Sequence, residues 1–110
     1  MCDFTNLYSE ENGFVLRCKH CESYQIGYGG LMLSLNSIDY MRFCELLQYL
    51  SGKELPFEAM QSRNIVIPTP YAGVNFLLCQ QEIRTLHQIL AAAENEKLAQ
   101  SMLALFRCSG

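Results

Sequence analysis

Two hydrophobic periods take turns along this chain: short alternations of period two, then longer runs with apolar residues three and four apart. Phe14 to Cys18 is rich in strand formers and follows the turn pair Asn12-Gly13. Tyr24 to Tyr28 alternates large apolar with small or polar residues, and Gly29-Gly30 then predicts a tight turn, because glycine accepts positive φ freely. Leu31 to Leu35 is a third strand, and Phe4 to Tyr8 adds a short one in front. At Asn36 the period changes. Asn36 is a strong N-cap, Asp39 falls near the positive end of the helix dipole, and Tyr40, Phe43, Leu46, Leu47 and Leu50 form one apolar face before Gly52 stops the helix.

The second half repeats the order. Lys53 to Ser62 reads as a loop, with Pro56 excluding an interior strand. Asn64 to Ile67 is a strand, Pro68 to Gly73 breaks and turns it, and Val74 to Leu78 returns. Cys79 to Glu82 opens a helix carrying Ile83, Leu86, Ile89 and Leu90. A last helical stretch carries Leu98, Met102, Leu105 and Phe106 on one face. Between Leu90 and Leu98 the stripe drifts by roughly a quarter turn at ~100° per residue. A bend near Asn95 and one long helix with a broad stripe both fit that drift.

Leu31 to Tyr40 aligns without gaps on Val74 to Ile83, so that strand, cap position, acidic residue and first core residue coincide. The alignment reads either as an internal duplication, over 13–52 and 63–94, or as the same local code used twice. The expected fold is α+β: two hairpin-plus-helix units forming a mostly antiparallel sheet with helices on one face, plus a C-terminal helix. At 110 residues the chain is the size of one domain, 1–110.

Composition sharpens this picture. Half of the residues are hydrophobic and 17% are charged, which excludes disorder and leaves apolar surface to spare in so short a chain. That surplus points to self-association as a homodimer or other homo-oligomer, or to a groove for a protein or small apolar ligand. The net charge is −3 and the eight basic residues are scattered singly, which argues against nucleic acid. The start of the chain lacks the basic and apolar regions of a targeting signal, and no apolar run spans a bilayer, so the expected location is cytoplasmic. Six cysteines are then expected as reduced thiols.

Cys18-Lys19-His20-Cys21 is the one spacing with metal or thiol chemistry in it. A two-residue gap lets both sulfurs reach one zinc ion from a tight turn, and Cys2 is the nearest further donor. Cys18, Cys21 and Cys2 are thus the candidate metal ligands, half of the usual signature and without a second pair. The other reading is two plain thiols at a hairpin tip. A redox pair would stand at a helix N-terminus, whereas here strand formers follow; Lys19 and His20 nevertheless put positive charge beside the thiols. Cys44 and Cys79 read as small buried residues, and Cys108 lies near the terminus. His87 sits among core positions without a positioned partner, Ser34 and Ser37 lack a nucleophile-elbow context, and the glycines at 27, 29 and 30 form a turn. Tyr24, Tyr28, Tyr40, Phe43 and Tyr71 read as core and rim. The function expected from the residues is therefore non-catalytic binding, with a zinc knuckle or thiol-dependent protein as the alternative.

The Met1-Cys2 start, Glu11 to Cys21, Tyr24 to Gly29 and the Leu-rich strand entering the Asp39-Tyr40 helix together resemble an uncharacterised family of small proteins, about 100 residues long, from Bacteroidetes-type bacteria. The resemblance implies a bacterial, cytoplasmic, single-domain protein. It brings no activity and no catalytic residue with it.

Overall fold

The computed structural model describes residues 3–53, 62, 63 and 65–109. The loop around Pro56 and the strand start at Asn64 lie outside the described residues. Among the described residues, eight elements follow one another: β1 (Phe4–Ser9), β2 (Gly13–Cys18), β3 (Ser23–Tyr28), β4 (Leu31–Asn36), α1 (Ser37–Ser51), β5 (Ile65–Pro68), β6 (Asn75–Leu78) and α2 (Gln80–Ser109). The protein is α+β. Its described strands form two sheets: a four-stranded antiparallel one in the order β1-β2-β3-β4, and the hairpin β5-β6. The helix opening after Cys79 and the C-terminal helical stretch are one continuous helix of 30 residues, without a break at Asn95.

The chain packs as two compact units, one of Met1–Ser34 with Ile89–Gly110 and one of Leu35–Gln88. In the first, the strands bury Val15, Tyr24, Ile26, Tyr28 and Leu33. Val15 and Ile26 are cross-strand partners, and both are completely buried. A register shift in β1 between Asn6 and Tyr8 inserts one extra residue, Leu7, which is buried in turn. Ile89, Leu90 and Ala93 of α2 complete this core. Gly29 and Gly30 join β3 to β4 with φ of +59° and +80°, a two-residue turn whose twist suits the strands it connects. Gly13 and Gly27 meet a different demand. A Cβ on Gly13 would collide with the Gly27 carbonyl, and one on Gly27 would enter the ring of Phe14, its cross-strand partner.

In the second unit α1 buries Tyr40, Phe43 and Leu47. Phe43 meets Phe76 of β6 with ring centroids 6.0 Å apart and planes at 36°. Ile67, Leu78, Ile83 and Leu86 fill the rest. The helix starts are built by complementary means. The Asn36 side chain accepts from the Asp39 amide at 2.8 Å. At the start of α2, Glu82 reaches back and accepts from the Cys79 amide at 3.0 Å, while the Cys79 carbonyl takes the first helical bond from Ile83. These are the two halves of a capping box. Gly52, expected as the stop of α1, has φ −82° and uses no left-handed conformation. The end of α1 is satisfied by Gln80, whose Nε2 donates to the carbonyls of Leu50 and Lys53.

Candidate functional site

The paired cysteines stand where the sequence puts them. Cys18 ends β2 and pairs with Ser23 of β3, so residues 19–22 form a four-residue hairpin turn. Glu22 closes that turn with φ of +50°, a conformation rare outside glycine and asparagine. Cys18 is completely buried and Cys21 is exposed, with its Sγ 3.0 Å from the Ser23 hydroxyl. Phe4 pairs with Cys18 across β1 and β2, so the N-terminal strand begins beside this turn. Cys2 itself lies outside the described residues. Among the described residues no group of three or more His, Cys, Asp or Glu is placed to hold a metal. Cys79 is buried at the start of α2, and Cys44 is half-buried on α1.

Cations gather near the turn. Tyr24 carries two on its ring: Arg17 Cζ lies 6.0 Å from the centroid and Lys97 Nζ 5.5 Å. Lys97 also donates to the Tyr24 hydroxyl at 3.3 Å and pairs with Glu94 at 3.2 Å. Burial works against the Lys97 ammonium, but the Tyr24 and Glu94 oxygens outweigh it and hold its pKa above the ordinary lysine value. A separate depression of about 430 Å³ is lined by Thr5, Lys19, Gln100, Leu103, Ala104 and Arg107. It brings the last turns of α2 to the cysteine turn.

The remaining feature is apolar. The first part of α2 turns Ile83, Leu86, Ile89, Leu90 and Ala93 inward. Further along, Leu98, Met102, Leu105 and Phe106 are 61%, 51%, 71% and 72% exposed. The drift of the stripe in the sequence is thus a change of face, from a buried stripe to an outward one. Ala91, Asn95, Leu98, Met102 and Leu105 are all exposed and are spaced four, three, four and three residues apart. That is the seam spacing of a helix that packs along another helix. On the other unit, the cross-strand partners Val66 and Leu77 are likewise exposed. Of the five aromatics marked in the sequence, Tyr24, Tyr28, Tyr40 and Phe43 are buried, and Tyr71 is exposed at the β5-β6 turn. His87 is half-buried.

No helix among the described residues is long and apolar enough to cross a membrane. The fold and these features define a small α+β protein with an outward helix seam and a cysteine turn. The chain belongs to a family of unknown function, DUF6686, whose model matches residues 1–106. No curated protein and no solved structure matches the chain.

Proposed function

We propose that this protein is a small non-catalytic binding protein that works as a homodimer, paired through the C-terminal half of α2. One observation carries the reading: the exposed 3-4 repeat of Ala91, Asn95, Leu98, Met102 and Leu105. Isolated surface apolar residues are ordinary, but four apolar residues and one asparagine at heptad spacing on one helix face are the pattern that another helix fills, knob into hole. A second copy supplies a helix with the same repeat, and a two-fold pair closes on itself without exposing a new seam.

The seam favours that occupant over a membrane surface. It carries no charge, and the residues beside it include Glu94 and Glu96 as well as Lys97. A helix lying on an anionic bilayer has lysines and arginines along its polar face. Two copies of a neutral seam meet without like charges opposed. The single asparagine suits the same reading, since one polar seam residue fixes register and oligomer number at some cost in stability.

Light scattering coupled to size-exclusion chromatography tests the proposal on wild type and on Leu98→Glu. The expected result is a dimeric wild type and a monomeric variant with an unchanged circular-dichroism spectrum. A Leu98→Glu variant as dimeric as wild type refutes the seam as the interface. A monomeric wild type that is captured by vesicles or by an apolar ligand gives the face to another occupant.

A further inference from the structure

We propose that the depression between the last turns of α2 and the cysteine turn binds the phosphate group of a small phosphomonoester, held by Lys19 and Arg107. The inference goes beyond the helix pairing and does not rest on it. It starts from the inward side of α2. At ~100° per residue, Ile89, Ala93, Gln100, Ala104 and Arg107 fall on one side of the helix, about half a turn from Leu98, Met102 and Leu105 of the seam. Ile89 and Ala93 are completely buried. Past Asn95 the same side becomes polar, and Gln100, Ala104 and Arg107 line the depression of about 430 Å³ together with Thr5 of β1 and Lys19 of the turn. Where further apolar residues would extend the core, the helix leaves a hollow whose two charged residues are both cations. A site on this side of α2 stays open when two copies pair along the seam.

These charges are available to a ligand. Among the described residues neither Lys19 nor Arg107 has a carboxylate partner. The acidic residues of this half of α2 are engaged: Glu94 pairs with Lys97 at 3.2 Å, and Glu96 accepts from Gln100 Nε2 at 3.3 Å. Arg17, the cross-strand partner of Thr5, has its Nε buried without a hydrogen-bond partner among the described residues, and a buried donor left unmet calls for an acceptor. A phosphomonoester carries a charge of about −1.5 to −2 at neutral pH and offers several acceptor oxygens. The arginine fork matches those oxygens, the lysine adds a point charge, and the Thr5 hydroxyl adds a neutral donor. Leu103 and Ala104 leave an apolar wall for the organic part, and the volume is that of a small-molecule site. Two cations in a chain of net charge −3 are too few to hold a polyanion by counterion release, which favours a small ligand over nucleic acid.

The test is calorimetric titration of the full chain, at low salt, with phenyl phosphate, inorganic phosphate and benzoate. The expected result is that phenyl phosphate binds more tightly than either of the others. Lys19→Gln and Arg107→Gln each weaken it by roughly three- to tenfold, the range between exposed ion pairs and charged hydrogen bonds, and the double variant loses more. Both residues are exposed, so neither change disturbs the core, and circular dichroism checks the fold of each variant. Arg42→Gln, an exposed cation of the other unit, leaves the affinity unchanged. Ala104→Leu fills the apolar wall and weakens phenyl phosphate more than inorganic phosphate. Absence of phenyl phosphate binding to wild type at millimolar concentrations overturns the proposal, and so does wild-type affinity in the Lys19→Gln, Arg107→Gln double variant. Tighter binding of benzoate overturns the phosphate assignment in favour of a carboxylate. Capture of the chain by phosphatidic acid vesicles without binding of phenyl phosphate overturns the small-molecule assignment in favour of a lipid headgroup.

Discussion

The side chain of Gln80 caps the helix that ends at Ser51: its Nε2 lies 2.8 Å from the Leu50 carbonyl oxygen and donates to it. Gln80 is the first residue of α2 and only 1% exposed, and its second donor bond runs to the Lys53 carbonyl at 3.1 Å. A helix leaves its last carbonyls without partners inside the helix. Here one buried amide closes that gap and ties the start of α2 to the end of α1. Gln80→Leu keeps the size of the side chain but removes one donor from each carbonyl, leaving Leu50 the backbone amides of Gly52 and Lys53 and leaving Lys53 the Arg84 guanidinium. Each lost hydrogen bond costs about 0.5–1.5 kcal/mol. The expected outcome is a lower urea midpoint with an unchanged slope, and an unchanged midpoint contradicts the capping role.

A second polar link acts through pH. Arg63 holds Glu82 with two hydrogen bonds, at 3.0 and 2.9 Å. That guanidinium, opposed by partial burial and helped by the Cys79 amide, keeps the Glu82 carboxyl below its ordinary value of 4.5. A carboxylate with a depressed folded pKa stabilises the fold fully above its unfolded value, and that contribution fades as pH falls through the folded value. Wild type should therefore exceed Glu82→Gln in stability at neutral pH, and the gap should close as acid is added below about pH 4.5. Arg63 is 69% exposed, so solvent and salt screen the pair and the ion-pair part of the gap stays under about 1 kcal/mol. Melting curves at several pH values read both trends; a gap constant down to low pH contradicts the assignment.

The tight approach of β2 and β3 yields a packing prediction. Phe14 lies across Gly27, and no room is left there for a methyl group. Gly27→Ala forces the ring aside, an overpacking cost of about 1–3 kcal/mol. The double variant Gly27→Ala with Phe14→Ala should be less unstable than the sum of the single changes, because the two residues compete for one space. Additive losses in chemical denaturation would show that the ring and the glycine do not interact.

These cases also show what local sequence carries and what it leaves out. Strands, turns and helix starts were legible because they rest on neighbours: Gly29-Gly30 turns, Asn36 caps, and Asp39 and Glu82 fall in the first helical turns as expected. The duties of Gln80 and Gly27 were not legible, because each answers a partner distant in sequence or on another strand. Gly52 stops α1 as expected and donates its N–H to the Leu50 carbonyl, and what local code left out is the further bond to that carbonyl from Gln80. The apolar stripe of Leu98, Met102 and Leu105 was visible as a face, and periodicity alone says nothing of whether a face turns inward. The cysteine turn was legible from spacing. The approach of the α2 terminus to it was not, since that depends on one helix running unbroken past Asn95.

Asn95 gives the seam its own prediction. Replacing one polar seam residue by an apolar one strengthens helix pairing and relaxes its register. Asn95→Leu should dissociate at lower concentration than wild type and admit species larger than the dimer. A variant that associates less than wild type, measured by light scattering over a dilution series, places Asn95 outside the interface.

The central claim is that two copies pair along α2. Sedimentation equilibrium of the wild-type chain, over a wide range of loading concentrations and at moderate salt, reads it directly. The account predicts an average mass that rises with concentration and levels at twice that of the chain. A mass that stays at the single chain across the whole range contradicts it.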